Sequence, residues 1–229
     1  MLINYDAQID KLIKVRKGEA QEGFKLDVPE IDEYFRFKKG NFNLILGHAN
    51  AGKTTITLYL MLLYCVVHKF KWLVFSSEND PHTMIKKLIE FLITEEKFNE
   101  HAKFIYQHFK FVEAQELYTY KQIISLGEAV KRAWNYDGFL IDPYNSLSID
   151  RDILRGINKH DYDYQATTEM RNFCKKQNVS IWLTTHAATN ALRIKHPNGH
   201  EYQGHPIPPL AADVEGGGKF VNRADDFIV

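Results

Sequence analysis

Cysteine is scarce. The 229 residues contain two, Cys65 and Cys174, each inside an apolar or amphipathic helical pattern. No disulfide framework organises such a chain, and buried free thiols in a reducing compartment are expected. An excess of charge of one sign is also missing, since 29 basic residues balance 29 acidic ones. With no net field to draw the chain onto a polyanion, any nucleic-acid contact must come from local loops. Long apolar runs are absent too. The longest, residues 56–67, is too short to span a bilayer. The opening MLINYDAQID carries acids and no apolar secretory core. No membrane partner is expected, and the expected location is the cytoplasm, of a bacterial host if the chain is phage-encoded. No internal repeat and no low-complexity tract occurs. What is present, 45% hydrophobic and 25% charged residues, is ordinary for a globular protein with material for one large domain.

Glycine is not abundant either, at 13 residues, yet two glycines bracket the most informative stretch, Gly47-His48-Ala49-Asn50-Ala51-Gly52-Lys53-Thr54. Apolar residues 42–46 precede it and the helix-like run 55–67 follows. Strand, glycine-bounded loop and helix, with the full GxxxxGK[ST] spacing, form the context of a phosphate-binding P-loop. Gly47 and Gly52 let the backbone turn tightly, so that its N–H groups face phosphate oxygens. The helix opening near Lys53 adds the positive end of its dipole. Lys53 is expected to reach the β- and γ-phosphates and the Thr54 hydroxyl to bind Mg²⁺, with Thr55 completing the cradle. ATP with Mg²⁺ is the expected ligand.

The rest of the chain alternates short apolar runs with helical patterns. Residues 1–22 read as an N-terminal linker or docking helix, charged over residues 6–22, with Ile9, Leu12 and Ile13 on one helical face. Residues 28–35 read as a capped helical turn. Apolar strands are expected at 72–75, Phe109–Val112, 138–141 and 179–183, with a last one beginning near Phe227. Helices are expected at 82–93, 95–109, 123–134 and 162–176. Residues 190–212 form a long polar loop whose length argues for function. This alternation predicts an α/β fold: one domain with a mostly parallel sheet and helices on both faces.

In such a sheet, ligands bind at the carboxyl ends of the strands. The first strand delivers the P-loop, the second Glu78, a later one Asp142, and the next Thr185 and His186. Asp142, behind Phe139-Leu140-Ile141, has the Walker B pattern and is expected to hold Mg²⁺. An aspartate before proline also serves as a turn residue. Glu78 is the candidate general base or water-orienting group, and a loop glutamate is the alternative. His186 is the candidate γ-phosphate contact, against a purely structural histidine.

At these residues the chain resembles the RecA-like motor domain of hexameric replicative helicases, the DnaB-like group with its mitochondrial Twinkle and phage primase-helicase relatives. The resemblance covers about residues 23–229, as the ATPase domain, and rests on five segments. GFKLDVPEIDEYFRFKKGNFNLILGHANAGKTT is similar to that family's first segment and Walker A. WLVFSSENDPHTMIKKL is similar to its second strand, where the family's catalytic glutamate stands at the position of Glu78. DGFLIDPYNSL and SIWLTTHAATN are similar to its Walker B and γ-phosphate-sensor strands. GHPIPPLAADVEGGGKFVNRADDFIV is similar to its last motif, with glycines at residues 216–218 and the Ala224-Asp225 pair. The resemblance implies a homo-oligomer, a hexameric ring when full-length, with ATP at subunit boundaries and single-stranded DNA in the middle. It implies a DNA grip by loops 148–161 and 190–215, which carry Arg151, Arg155 and Lys159, and Arg193 and Lys195. Without the resemblance, those cations read as solvated loop residues. No primase or other N-terminal domain is expected in this chain. The family's arginine finger lies beyond the strand near Phe227, so it too is expected to be missing. Lys219 matches a Twinkle-like lysine able to act across a subunit boundary, and Arg223 is a second such candidate. A flexible surface cation is the alternative for Lys219.

Two functions of different class fit these residues. One is an ATP-driven DNA helicase or translocase motor. The other is an ATP-dependent single-stranded-DNA-binding or recombination-mediator module without unwinding. A P-loop small-molecule kinase fits poorly, because Arg193 stands alone in the long loop where a lid with several arginines is required.

Overall fold

The computed structural model describes residues 5–17, 22–92, 97–113 and 116–229. Residues 18–21 of the charged opening, the expected helix end at Ile93 and the expected helix start at Glu95 lie outside the described residues. The chain divides into two compact units, Met1–Lys38 and Lys39–Val229.

The first unit contains helix α1 (Tyr5–Arg16) and one helical turn, α2 (Pro29–Asp32). Proline opens α2, where its missing N–H costs nothing. The turn is not capped at its start by a side chain. Instead the Asp32 carboxylate reaches back and accepts from Leu26 N at 2.7 Å and Val28 N at 3.1 Å. Arg36 Nε donates to the Asp32 carbonyl at 2.9 Å, and an antiparallel bridge joins Phe24 to Phe37.

The second unit is an α/β layer structure. In order it runs β1 (Phe42–Gly47), α3 (Lys53–His68), β2 (Trp72–Ser76), α4 (Pro81–Phe91), α5 (Phe98–His108) and β3 (Phe109–Val112). It continues with α6 (Tyr120–Ala133), β4 (Gly138–Asp142), α7 (Arg151–Leu154), α8 (Lys159–Gln177), β5 (Ser180–His186), α9 (Lys219–Arg223) and β6 (Asp226–Ile228). The strands form one sheet in the order β3-β2-β4-β5-β1-β6, and every pairing is parallel. This is the α/β arrangement with a parallel sheet expected from the alternation of strands and helices.

Strand alternation sorts the core into two layers. Phe42, Leu44 and Leu46 of β1, with Phe139 and Ile141 of β4 and Ile181 and Leu183 of β5, pack on Ile123 of α6 and on Tyr162, Met170 and Phe173 of α8. On the opposite side Trp182 of β5 meets Tyr64 of α3 edge-on, with ring centroids 6.2 Å apart, and Trp72 of β2 at 4.9 Å. Gly138 makes room for this pair, since a Cβ there would collide with the Trp72 ring. Cys65 and Cys174 are buried and free, as expected, and burial pushes the Cys174 thiol up to about 12.

The last motif is structural at Asp225. Its carboxylate accepts from Phe42 N at 2.9 Å and pairs with Arg171, so it pins the start of β6 to β1 and α8. The long polar stretch after β5 is partly ordered locally. It contains short 3-10 turns, Thr189–Arg193 and Ala211–Asp213, and an antiparallel bridge between Lys195 and Pro206.

Candidate active site

Four neighbouring strands, β2, β4, β5 and β1, bring their polar ends level. Gly47 pairs with His186, and Ser76 pairs with Asp142. The P-loop leaves β1 and closes at Gly52, whose φ of +86° is in the left-handed region that glycine accepts without strain. Gly47 has a different reason: a Cβ there would lie 2.8 Å from Lys53 Cγ, so its absence makes room for the lysine stem.

Lys53 Nζ donates to the carbonyls of Gly47 (3.1 Å) and His48 (2.9 Å) and lies 3.2 Å from His186 Nδ1. An ammonium can only donate, so Nδ1 accepts. The His186 proton then sits on Nε2 and donates to Glu78 Oε1 at 3.0 Å. Lys53, His186 and Glu78 therefore form one chain with a defined neutral tautomer. Burial pulls the Lys53 ammonium below its ordinary value, and the carboxylates of Asp142 and Glu78 act against that pull.

Asp142 is 1% exposed. Its Oδ2 accepts from Thr54 Oγ1 at 3.0 Å and Ser76 Oγ at 3.2 Å, and its Oδ1 accepts from Thr184 Oγ1. Thr54 and Asp142 thus face each other with oxygen donors only, the chemistry a hard cation takes. No cluster of three or more His, Cys, Asp or Glu able to hold a metal occurs among the described residues. A cation such as Mg²⁺, which keeps much of its water, needs only one or two protein oxygens. Thr54 and Asp142 would hold it, and it would neutralise charge on the phosphate oxygens.

Lys53, Thr54, Glu78 and His186 open on a cavity of about 590 Å³ lined by residues 49–55, Glu78, Asn79, Lys87 and His186, and the buried Asp142 lies behind Thr54. Lys87 was not singled out from the sequence. It comes from α4, which Asp80 caps by accepting from Thr83 N, and its Nζ donates to Thr55 Oγ1 at 3.2 Å. Its helix was legible, but the direction of its side chain depends on how α4 packs on α3. Asn145 was also missed. It lies in the 3-10 turn Tyr144–Ser146 and joins β5 to Glu215. His48 carries a further link, with Nε2 donating to the Ile207 carbonyl at 2.9 Å.

The remaining predicted residues do not line this cavity. Arg151 and Arg155 lie on or beside α7, a helical turn within the expected loop 148–161, and Arg155 pairs with Asp152 at 3.3 Å on the surface. Lys159 belongs to the first turn of α8 and pairs with the buried Asp163, so it is not a free loop cation. Arg193 and Lys195 are exposed and make no ion pair among the described residues. Lys219 is 6% exposed, and its ammonium donates to the His160 carbonyl, so it ties α9 to the start of α8 and is no flexible surface cation. Arg223 lies 4.0 Å from the centroid of the Tyr164 ring, and its Nε is buried without a partner.

Neither a scan against protein-family models nor a search of curated proteins finds a match for the sequence. Solved structures share the fold. The ATPase domain of G40P superposes with a TM-score of 0.73 at 14% identity, over 97% of this chain and 81% of that one. A DnaB-like replicative helicase, described with its interactions with primase, gives 0.73 and 14% over 99% of this chain. The chain spans 56% of that helicase's length. The KaiC-like protein PH0186 of Pyrococcus horikoshii OT3 gives 0.56 and 14%, over 91% and 78%. The resemblance read from the five sequence segments therefore holds at the level of the fold, across nearly the whole chain.

Proposed function

We propose that this chain is an ATP-hydrolysing motor domain that acts on single-stranded DNA as one subunit of a ring, with ATP at the subunit boundaries. The observation that carries the proposal is the convergence of Lys53, Thr54, Asp142, Glu78 and His186 at the ends of four adjacent parallel strands. Phosphoryl transfer needs little covalent chemistry from a protein. It needs a cradle, charge neutralisation and an oriented water. The P-loop N–H groups and Lys53 supply the first two, and Mg²⁺, which Thr54 and Asp142 would hold, would add to the neutralisation. Glu78, held by His186 and half-exposed to the cavity, supplies the third. An incoming γ-phosphate takes the Lys53 ammonium from the carbonyls it now contacts, and the same movement frees the Nδ1 face of His186.

The helicase half of the proposal is supported by the fold shared with the G40P ATPase domain and the DnaB-like helicase. The test is ATP turnover with and without single-stranded DNA, together with strand displacement on a forked duplex. Stimulated turnover with displacement is the expected result. ATP-dependent DNA binding without displacement would favour the recombination-mediator reading. No ATP binding at all would contradict both.

A further inference from the structure

Asn145 sits between His186 and the glycine turn, and both its side-chain carbonyl and its side-chain amide are bonded. Its carbonyl oxygen accepts twice, from Thr185 Oγ1 at 3.0 Å and from His186 N at 3.3 Å. Its amide nitrogen donates to Glu215 Oε2 at 2.8 Å. Glu215 is tied to the same place a second time, because its backbone N–H donates to the His186 carbonyl at 3.0 Å. The backbone of His186 is thus gripped on both sides, its N–H by Asn145 and its C=O by Glu215. Its ring, meanwhile, contacts Lys53 and Glu78. Directly after Glu215 come Gly216 and Gly217, with φ of +99° and +86°. At Gly216 a Cβ would press on the Phe220 ring, which packs edge-on against Tyr144 beside Asn145. Only asparagine meets this set of demands at this reach: aspartate has no donor, and glutamine is a methylene longer.

We propose that Asn145 is a positioning residue that transmits the state of His186 to the glycine turn at 215–218, so that this turn tightens when the cavity holds a triphosphate and loosens when it holds a diphosphate. The proposal rests on the reading that this cavity binds ATP. When Lys53 leaves Nδ1 for a γ-phosphate, the His186 ring loses one of its two contacts and shifts, and the peptide groups on both sides of His186, which are bonded to Asn145 and Glu215, move with it. The turn follows because its first residue is held at two points.

The test is hydrogen exchange of residues 213–219 in the full chain, at saturating Mg·ATPγS and at saturating Mg·ADP, with occupancy verified by calorimetry. Three proteins are compared: wild type, Asn145→Asp, and Asn145→Asp with Glu215→Gln. Asn145→Asp keeps the acceptor for Thr185 and His186 but sets a carboxylate against Glu215. Adding Glu215→Gln restores the bond with donor and acceptor exchanged. In wild type, exchange is expected to be about threefold or more slower with ATPγS than with ADP. That difference is expected to vanish in Asn145→Asp and to return in the double variant. A merely structural role would change exchange equally in both nucleotide states. The proposal is overturned if wild type binds both nucleotides and shows no difference, if Asn145→Asp keeps the difference, or if the double variant stays as flat as the single one. Failure of wild type to bind either nucleotide overturns the underlying reading, and this inference with it.

Discussion

Glu78 and His186 show how one residue's role depends on a neighbour that the sequence places 108 positions away. The carboxylate alone is a loop glutamate. With its Oε1 accepting from His186 Nε2, and Lys53 on the other ring nitrogen, it is held at the cavity, where the proposed reaction requires a group to orient the attacking water. Glu78→Gln keeps an oxygen that accepts from His186 but loses the charge. ATP turnover is therefore expected to fall by about 100-fold or more. Binding of ATP should stay within about threefold, because the phosphate cradle is untouched. Steady-state turnover and equilibrium titration of the variant check this, and turnover at the wild-type rate would remove Glu78 from the reaction. Residue type and spacing singled out residues 47–54, Glu78, Asp142 and His186, and the fold brings them together. Lys87 and Asn145 were not singled out, because a lysine on a helix and an asparagine in a turn acquire their meaning only from partners on other elements. For Lys219 the sequence offers a cation acting across a subunit boundary or a flexible surface cation, and only the fold shows that its ammonium donates to the His160 carbonyl with little of the residue exposed.

At the scale of elements, apolar runs located every strand but stopped short of the functional ends. The runs end at Leu46, Phe75, Ile141 and Leu183. The ladders continue through Gly47, Ser76, Asp142 and Thr184 to His186. The shortfall has one cause: the residues that face the ligand are polar, so hydrophobic patterning fades where the site begins. The glycine at the start of β4 is the converse case. It interrupts no apolar pattern in the sequence, but its missing Cβ lets Trp72 lie across it and meet Trp182. Gly138→Ala forces that indole, packed and fully buried, to shift. The expected cost is about 1–3 kcal/mol. Urea unfolding with unchanged slope and a lowered midpoint is the expected result. A variant as stable as wild type would show that the Trp72 layer yields freely.

For the whole molecule, the balanced charge means that the proposed DNA binding must come from local cations. Arg193 and Lys195, in the stretch that follows β5, are exposed and make no ion pair among the described residues. Arg193→Ala with Lys195→Ala is expected to weaken single-stranded DNA binding and to flatten its log–log salt slope by about 0.7 per lost contact, roughly 1.4 for both. ATP affinity should barely change. An unchanged slope would mean that the loop does not grip through these residues. The central claim, however, is that the ends of β1, β2, β4 and β5 make a single triphosphate site organised around Lys53. Calorimetric titration of Mg·ATPγS into wild type and Lys53→Ala tests it most directly. One charge-assisted contact contributes about 1.5–3 kcal/mol, which is a loss of roughly 10- to 100-fold in affinity. The account predicts one site per chain in wild type, a loss of that size in Lys53→Ala, and a fold intact by circular dichroism. Equal affinity in the two proteins, or no binding to either, would contradict it.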